Sequence, residues 1–136
     1  LQNLIELNLY NNQLSGQINT EITTLTKLNY LTLESNMFSG PIPEDINNLS
    51  NLIGLDLRDN MFSGTIPTQI SELLSLEDLH LHQNEFSGVI DSSICDLINI
   101  QFDSTAFFNI DQNQLCPPYP ECIENYMYEQ DTSNCP

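Results

Sequence analysis

The chain has 136 residues, 40% of them hydrophobic, which is enough for one folded domain and unlike the composition of a disordered segment. Nineteen acidic residues against two basic ones give a net charge of −17, which repels nucleic-acid phosphates and anionic lipid, so we expect no nucleic-acid binding. No apolar run approaches the roughly 18 residues of a transmembrane helix, so we expect no membrane insertion by this segment.

A 24-residue pattern, LxxLxLxxNx(L/F)SGxIxxxIxxL, occurs four times without a gap, starting at Leu4, Leu28, Leu52 and Leu76. Its LxL step predicts a short strand whose leucines point to one side. One such strand cannot bury that side alone, so successive coils have to stack and share a continuous core. Each fully buried leucine or isoleucine contributes roughly 1.5–3 kcal/mol to the stability of such a stack. The repeat therefore predicts a solenoid and not a compact globule.

One asparagine per copy follows the predicted strand, at the point where the chain has to bend. Its amide group can both donate to and accept from backbone groups that the bend leaves unpaired. We therefore predict that it points inward and is structural, so that replacing Asn60 with alanine destabilises the fold. The predicted ladder consists of Asn12, Asn36, Asn60, Asn84 and, in an irregular fifth repeat, Asn113.

The repeat resembles the leucine-rich repeat family in the form typical of plant extracellular proteins, whose pattern is LxxLxLxxNxLSGxIPxxIxxL. Residues 4–97 follow it, with Asn19 and Asp91 in place of the proline and phenylalanine in place of leucine in three copies. The resemblance implies a leucine-rich repeat solenoid of the α/β repeat class, mostly β with short 3-10 or irregular turns. Such a solenoid is a curved right-handed coil with a parallel sheet on its concave face and a second small sheet on one flank. Members act mainly as recognition modules, in receptor ectodomains, cell-wall proteins and polygalacturonase inhibitors.

The pattern changes at both ends of the array. We assign residues 1–99 to four repeats and residues 100–136 to an irregular fifth repeat with a C-terminal cap. The fifth repeat carries an insertion within QFDSTAFFNI, after which Phe108 and Ile110 supply the inward positions of a fifth strand. Ile123 and Tyr126 keep the spacing of a last half-coil. The first coil shows no cap, so we expect either further repeats and a cap before Leu1 or another molecule covering that side.

All four cysteines, at positions 95, 116, 122 and 135, lie in the last third of the chain. Their even number and clustering predict two disulfides that staple this end, and hence an oxidising, extracellular compartment. Cys95 and Cys122 each stand beside an inward isoleucine, one coil apart, which favours the pairs Cys95–Cys122 and Cys116–Cys135. A short loop between Cys116 and Cys122 is the main alternative, because cysteine-containing ends of related proteins can close on themselves.

The outward side chains of the predicted strands form the concave face, and they include the candidate ligand-binding residues. Equivalent side chains of neighbouring coils lie about 4.8 Å apart and form rows that combine aromatic, acidic and basic groups, a mixture suited to recognition. Neighbouring Glu34 and Arg58 should form an ion pair, which an exposed position makes weak. The candidates are Tyr10, Tyr30, Glu34, Asp56, Arg58, Asp78, His80 and His82.

His80 and His82 raise a second possibility, since two histidines on one side of a strand near Asp56 and Asp78 could bind zinc or copper. Arg58 beside His82 argues against a metal, so we expect ligand-facing or solvated histidines. We predict no metal site, no cofactor and no catalytic residues. Carboxylates pair by chance among nineteen acids, and an open curved sheet rarely excludes water.

These features predict a non-enzymatic extracellular recognition module that binds a protein, peptide or glycan through its concave face. The alternative is a structural protein that self-associates by stacking through its uncapped first coil. Ice binding ranks third, because the flank positions Gln17, Pro41, Thr65 and Val89 are not regularly repeated. Asn48 starts the one Asn-x-Ser/Thr sequon, and a glycan on this predicted convex turn would leave the concave face free.

Overall fold

Short strands and 3-10 helices alternate along the chain in the computed structural model, which describes residues 1–136. Each coil contributes one strand to a concave sheet, made of β1 (Glu6–Asn8), β3 (Tyr30–Thr32), β5 (Gly54–Asp56), β7 (Asp78–His80) and β9 (Phe108–Asn109). Each coil contributes a second strand to a flank sheet, made of β2 (Ser15–Gly16), β4 (Met37–Gly40), β6 (Met61–Gly64), β8 (Glu85–Val89) and β10 (Gln114–Cys116). The convex side carries 3-10 helices at Thr20–Thr24, Glu44–Asn48, Thr68–Glu72, Ser92–Asp96 and Glu124–Tyr126.

Both sheets are parallel, and their strands follow one another in the order of the coils. In the concave sheet Leu31 pairs with Leu55 and Leu55 pairs with Leu79, so equivalent positions of successive repeats lie side by side. The predicted leucine-rich repeat solenoid is therefore confirmed, including its second sheet on the flank. No helix in the structure has the length and apolar character needed to cross a bilayer.

One continuous hydrophobic core of 26 buried residues runs through the stack. Inward leucines of the middle coils, such as Leu55, Leu57 and Leu79, are at most 1% exposed, because each lies between two neighbouring coils. The corresponding Leu7 and Leu9 of the first coil are only partly buried, since they have a neighbouring coil on one side. Stacking of coils, more than the strand propensity of any one segment, therefore supplies the stabilising burial.

Four of the five predicted ladder asparagines point inward and tie their coil to the one before it, whereas the side chain of Asn12 in the first coil is exposed and bonds only within its own coil. The Asn60 amide nitrogen donates to the Leu33 carbonyl of the preceding coil at 3.0 Å, and to the Leu57 and Arg58 carbonyls of its own coil. Its side-chain oxygen accepts the Phe38 N–H of the preceding coil at 2.9 Å. The same four bonds recur at three further ladder positions, Asn36, Asn84 and Asn113.

The residue just before each ladder asparagine adopts a left-handed backbone conformation, with φ between 52° and 55°. None of these residues is glycine, although other residues enter this region at an energetic cost. The asparagine bonds that follow hold the bend in place and so offset that strain. The left-handed positions are Asn11, Ser35, Asp59, Gln83 and Gln112.

Phenylalanine replaces leucine at one position of three consecutive coils, and the three rings form a column. The Phe38 and Phe62 rings stack with centroids 6.1 Å apart and planes 9° from parallel, and the Phe62 and Phe86 rings stack at 6.1 Å and 4°. Phe62 and Phe86 are fully buried. The larger side chain fits because each ring finds its packing partner in the adjacent coil.

Two disulfides close the C-terminal end, joining Cys95 to Cys122 and Cys116 to Cys135 with Cα–Cα distances of 5.7 and 5.6 Å. These are the pairs that the sequence favours, and no cysteine is free, so the structure does not contain the alternative Cys116–Cys122 loop. The first bridge fastens the convex turn of the fourth coil to the last half-coil, and the second fastens the final residues to β10.

After the insertion, the chain returns to the repeat geometry with one departure. Phe108 and Ile110 are buried at the predicted inward positions. Ile123 is fully buried, but Met127, not Tyr126, packs against the core beside it. Ile123 is the N-cap of the 3-10 helix Glu124–Tyr126 and its carbonyl accepts the Tyr126 N–H at 2.8 Å, whereas the equivalent Ile70 lies inside the helix Thr68–Glu72.

Replacing Asn60 with alanine leaves the Phe38 N–H without its acceptor and removes one of the two amide donors to the Leu33 carbonyl, which keeps its bond from Asn36. We expect the free energy of unfolding to fall by about 1–3 kcal/mol, measured by urea denaturation. Asn12→Ala is the matched control and should cost less, because Asn12 donates only within its own exposed coil. Equal losses in both variants, or an unchanged midpoint for Asn60→Ala, would contradict a structural role for the ladder.

Candidate functional site

The strand register places the candidate residues on one surface in neighbouring rows. The first row, across β3, β5 and β7, consists of Tyr30, Gly54 and Asp78. The second row consists of Thr32, Asp56 and His80. Two residues further along each chain segment, and therefore on the same side, stand Glu34, Arg58 and His82.

Arg58 is held between two carboxylates of this surface. Its Nη2 donates to the Glu34 carboxylate at 2.8 Å, and its Nε lies 3.4 Å from the Asp56 carboxylate. The three side chains are between 17% and 34% exposed, so solvent screens these ion pairs only in part. The predicted Glu34–Arg58 pair is present, and the guanidinium is already neutralised by protein groups.

Asp56 is the least exposed of these three charged side chains. Burial raises the pKa of its carboxyl, while the Arg58 backbone N–H, the Arg58 charge and the nearby His80 act in the opposite direction. That N–H donates to Asp56 Oδ1 at 3.2 Å. Because the pKa remains raised, the neighbours of Asp56 compensate its negative charge less well than water does.

The two histidines form a pair whose ring centroids are 5.8 Å apart, with planes 75° apart in an edge-to-face arrangement. The Nδ1 atom of each ring is buried and has no hydrogen-bond partner. Burial lowers the pKa of His82, and the charges of His80 and Arg58 lower it further, so His82 favours the neutral imidazole. The structure has no group of three or more His, Cys, Asp or Glu side chains that could hold a metal ion.

A recess of about 360 Å³ opens on the concave face where Gly54 interrupts the first row. A Cβ built on Gly54 would lie 2.9 Å from Tyr30 Cδ1 and 3.8 Å from the Asp78 Cβ. The tyrosine ring therefore leans over the glycine backbone and faces Asp78 across it. The other walls of the recess include Asp56, His80 and Ala106.

The recess brings together five of the eight candidate residues, namely Tyr30, Asp56, Arg58, Asp78 and His80. The other three lie outside it. Tyr10 stands on the first coil and is 56% exposed, and Glu34 is connected to the recess through Arg58. His82 packs edge-to-face with the His80 ring. The three remain candidates for the wider concave face.

Four residues that line the recess are not among the sequence candidates: Thr32, Gly54, Leu55 and Ala106. A glycine at an outward strand position signals a close approach of another group, and this signal could have identified Gly54. Ala106 comes from the insertion before β9, where the repeat pattern gives no register. No signal in the sequence places it.

Two larger depressions carry no comparable combination of groups. One, of about 520 Å³, lies on the flank, and the residues that line it include Pro41, Thr65 and Pro67. The other, of about 560 Å³, lies against inward residues of the first coil, including Leu9 and Ile22. We select the concave recess because aromatic and charged groups converge there, not because of its size.

Asn48 ends the second 3-10 helix and is exposed on the convex side. Its side chain forms no hydrogen bond, whereas that of the adjacent Asn47 donates to Glu72 at 2.9 Å. Within the sequon, Leu49 is buried and Ser50 is exposed. The asparagine amide therefore remains accessible in the folded chain.

Comparison with protein families identifies the repeat. Four stretches of the chain match the family model described as Leucine Rich Repeat, at residues 3–25, 27–49, 51–73 and 75–97. This chain belongs to the leucine-rich repeat family. The matches coincide with the four gapless copies of the 24-residue pattern.

Solved structures of plant receptors are similar to this leucine-rich repeat chain. The plant peptide hormone receptor RGFR1, in complex with RGF2, is 35% identical with a TM-score of 0.80, over 87% of this chain and 19% of that chain. The ectodomain of the receptor kinase SOBIR1 from Arabidopsis thaliana is 37% identical with a TM-score of 0.76, over 86% of this chain and 61% of that one. The repeats are therefore of the plant extracellular type.

A plant ice-binding protein is also similar, at 34% identity and a TM-score of 0.74, over 82% of this chain and 35% of that chain. The leucine-rich repeat chain thus spans less than two thirds of each of these three structures. The comparison with curated protein sequences finds no match. Because a hormone receptor and an ice-binding protein share this fold, the fold alone does not select a function.

The pKa of His82 gives a pH-dependent prediction. In the folded chain the pKa of His82 lies below its ordinary value of 6.5. At a pH between the folded-state pKa and 6.5, the unfolded chain therefore binds more protons than the folded chain. The His82 contribution to stability should therefore be complete above pH 6.5 and decrease as pH falls toward the folded-state pKa. Urea denaturation at several pH values should show this decrease in the native chain and less of it in His82→Asn. An NMR titration that places the His82 pKa at or above 6.5 would contradict the prediction.

The exposed Asn48 side chain gives a second prediction for this region. Secretion from plant cells should add an N-glycan to the sequon, because Asn48 lies on an accessible turn. Mass spectrometry should detect the glycan on the native chain and not on Asn48→Gln, while the two circular dichroism spectra coincide. Identical masses for the two secreted chains would exclude glycosylation at Asn48.

Proposed function

We propose that this leucine-rich repeat segment binds an extracellular protein or peptide on its concave face, with the recess at Gly54 as the centre of the contact. The observation that carries the proposal is the recess itself, where an aromatic ring, two carboxylates and a histidine converge on a glycine. Such a combination suits recognition of a side chain presented by a partner. The proposed role requires no chemical step.

The similarity to receptor ectodomains supports the same choice. RGFR1, which shares 35% identity over 87% of this chain, is a peptide hormone receptor solved with RGF2. The concave sheet of this chain has the regular rows that an extended peptide or a protein loop can cross. A glycan ligand and stacking through the first coil remain separate hypotheses, which no feature of the recess favours.

The dimensions of the sheet limit the affinity that this segment can reach alone. Five strands about 4.8 Å apart span roughly 20 Å. The resulting patch is smaller than the roughly 800 Å² per partner of a standard protein interface. We therefore expect weak binding by the isolated segment, and stronger binding where a longer array or several copies present the same surface together.

The two disulfides support an extracellular location for this activity. Both bridges are formed, and together they use all four cysteines. Structural disulfides of this kind persist in oxidising compartments and are rare where thiols are kept reduced. The partner should accordingly be a secreted or cell-surface molecule.

Selection of a displayed random-peptide library on the folded chain tests the proposal. Gly54→Leu fills the recess, and the fold should tolerate it because the nearest obstacle is the partly exposed Tyr30 ring. We expect selected peptides to bind Gly54→Leu at least about tenfold more weakly. Thr65→Leu, on the exposed flank, is the matched control and should change their affinity less than about twofold.

Circular dichroism of both leucine variants establishes that they fold. Peptides that bind Gly54→Leu as well as the native chain would place recognition elsewhere and would refute the proposed site. A failure to select any concave-face peptide in display formats that present several copies would refute the proposed function, because the affinity limit is then removed.

A further inference from the structure

We infer that the recess at Gly54 recognises a positively charged side chain, arginine or lysine, presented by the protein or peptide partner. The inference rests on the proposed function and specifies the chemistry of the group that enters the recess. It follows from three features of the concave face: an unpaired carboxylate, an aromatic ring opposite it, and a guanidinium that is already occupied.

The carboxylate is that of Asp78. It forms no ion pair and accepts no hydrogen bond, whereas Glu34 and Asp56 both contact Arg58. Asp78 is half-buried at the wall of the recess, next to the glycine floor. A cation that entered here would gain a counter-ion without breaking an existing contact, and partial burial would reduce the screening of that attraction.

The aromatic ring is that of Tyr30, which lies on the opposite side of Gly54 from Asp78. Because Gly54 has no side chain, the Tyr30 ring lies over its backbone, with Cδ1 2.9 Å from where a Cβ would stand. The ring and Asp78 both line the recess of about 360 Å³ that opens beside them. A guanidinium or ammonium group in the recess would contact the tyrosine ring and a carboxylate together. Both contacts favour a cation over a neutral group of the same shape.

The charge of the surrounding surface excludes an anionic group. The outward strand positions of the first four coils carry four carboxylates, Glu6, Glu34, Asp56 and Asp78, against the single guanidinium of Arg58. An acidic ligand would have to displace Glu34 from Arg58, where the contact is 2.8 Å. The net charge of −17 on the whole chain attracts basic partners and repels acidic ones.

The incompletely compensated charge of Asp56 points in the same direction. Its carboxyl lines the recess and retains a raised pKa because of burial, even with Arg58 beside it. A positive charge placed between Asp56 and Asp78 would stabilise both ionised carboxylates. A neutral or acidic occupant would bury Asp56 further without adding a counter-ion.

An NMR titration of the folded, ¹⁵N-labelled chain tests the inference with two small probes. N-acetyl-L-arginine amide carries the charge, and N-acetyl-L-citrulline amide has nearly the same shape without it. We expect the arginine probe to shift the Gly54 amide signal and to bind at least about tenfold more tightly than the citrulline probe. Equal binding of the two probes, or no shift at Gly54, would overturn the inference.

Two variants separate the recess from the general attraction of an acidic surface. Asp78→Asn should weaken binding of the arginine probe at least about fivefold. Asp45→Asn is the matched control, because it removes one exposed acid from the convex side and changes the net charge by the same amount, and it should alter binding less than about twofold. Equal effects of the two variants would show nonspecific attraction only and would overturn the inference.

The display selection separates failure of this inference from failure of the proposed function. Selected peptides that lose affinity for Gly54→Leu and are enriched in arginine or lysine support both. Peptides that depend on Gly54 without such enrichment overturn the charge preference and leave the concave recognition site in place.

Discussion

The fold depends on one hydrogen-bonded link, the asparagine that ends each inner strand. Asn60 donates to one carbonyl of the preceding coil and accepts an N–H from the same coil, while it also closes its own bend. Leucine burial drives the coils together, but burial alone does not fix how far one coil is offset from the next. The asparagine link fixes that offset, because its four partners are backbone groups at set positions. The straight rows of the concave face are a consequence.

Those rows determine what the surface can recognise. Because β3, β5 and β7 are in register, Tyr30, Gly54 and Asp78 are neighbours even though they are 24 residues apart in the chain. Each repeat can change its outward residues without disturbing the core, since the inward positions carry the stacking. Binding specificity in such a fold therefore resides in side chains that contribute little to stability, and the recess arises from one small residue in one row.

Much of this structure could be predicted from the sequence, because it follows from a period. The repeat predicts the inward leucines and the asparagine ladder, the family resemblance implies the flank sheet, and the position of Cys95 and Cys122 beside equivalent isoleucines favours the observed disulfides. The depth of the recess could not be predicted, because it depends on the tilt of the Tyr30 ring over Gly54. The place of Ala106 in the recess and the packing of Met127 against the core could not be predicted either. An insertion precedes Ala106 and an altered final turn precedes Met127, and both remove the repeat register on which prediction depends elsewhere.

The column of Phe38, Phe62 and Phe86 has a consequence for the shape of any ligand. Ring planes only 9° and 4° from parallel show that equivalent side chains keep almost one orientation from coil to coil, so the array barely twists there. An extended peptide advances about 3.3 Å per residue, whereas the strands it would cross are about 4.8 Å apart. The length of three extended peptide residues is therefore about equal to the spacing of two coils. Only some of the peptide side chains that point toward the sheet will lie directly over a strand. A partner that reads this face should have a spaced motif, with its decisive residues separated by positions of little importance.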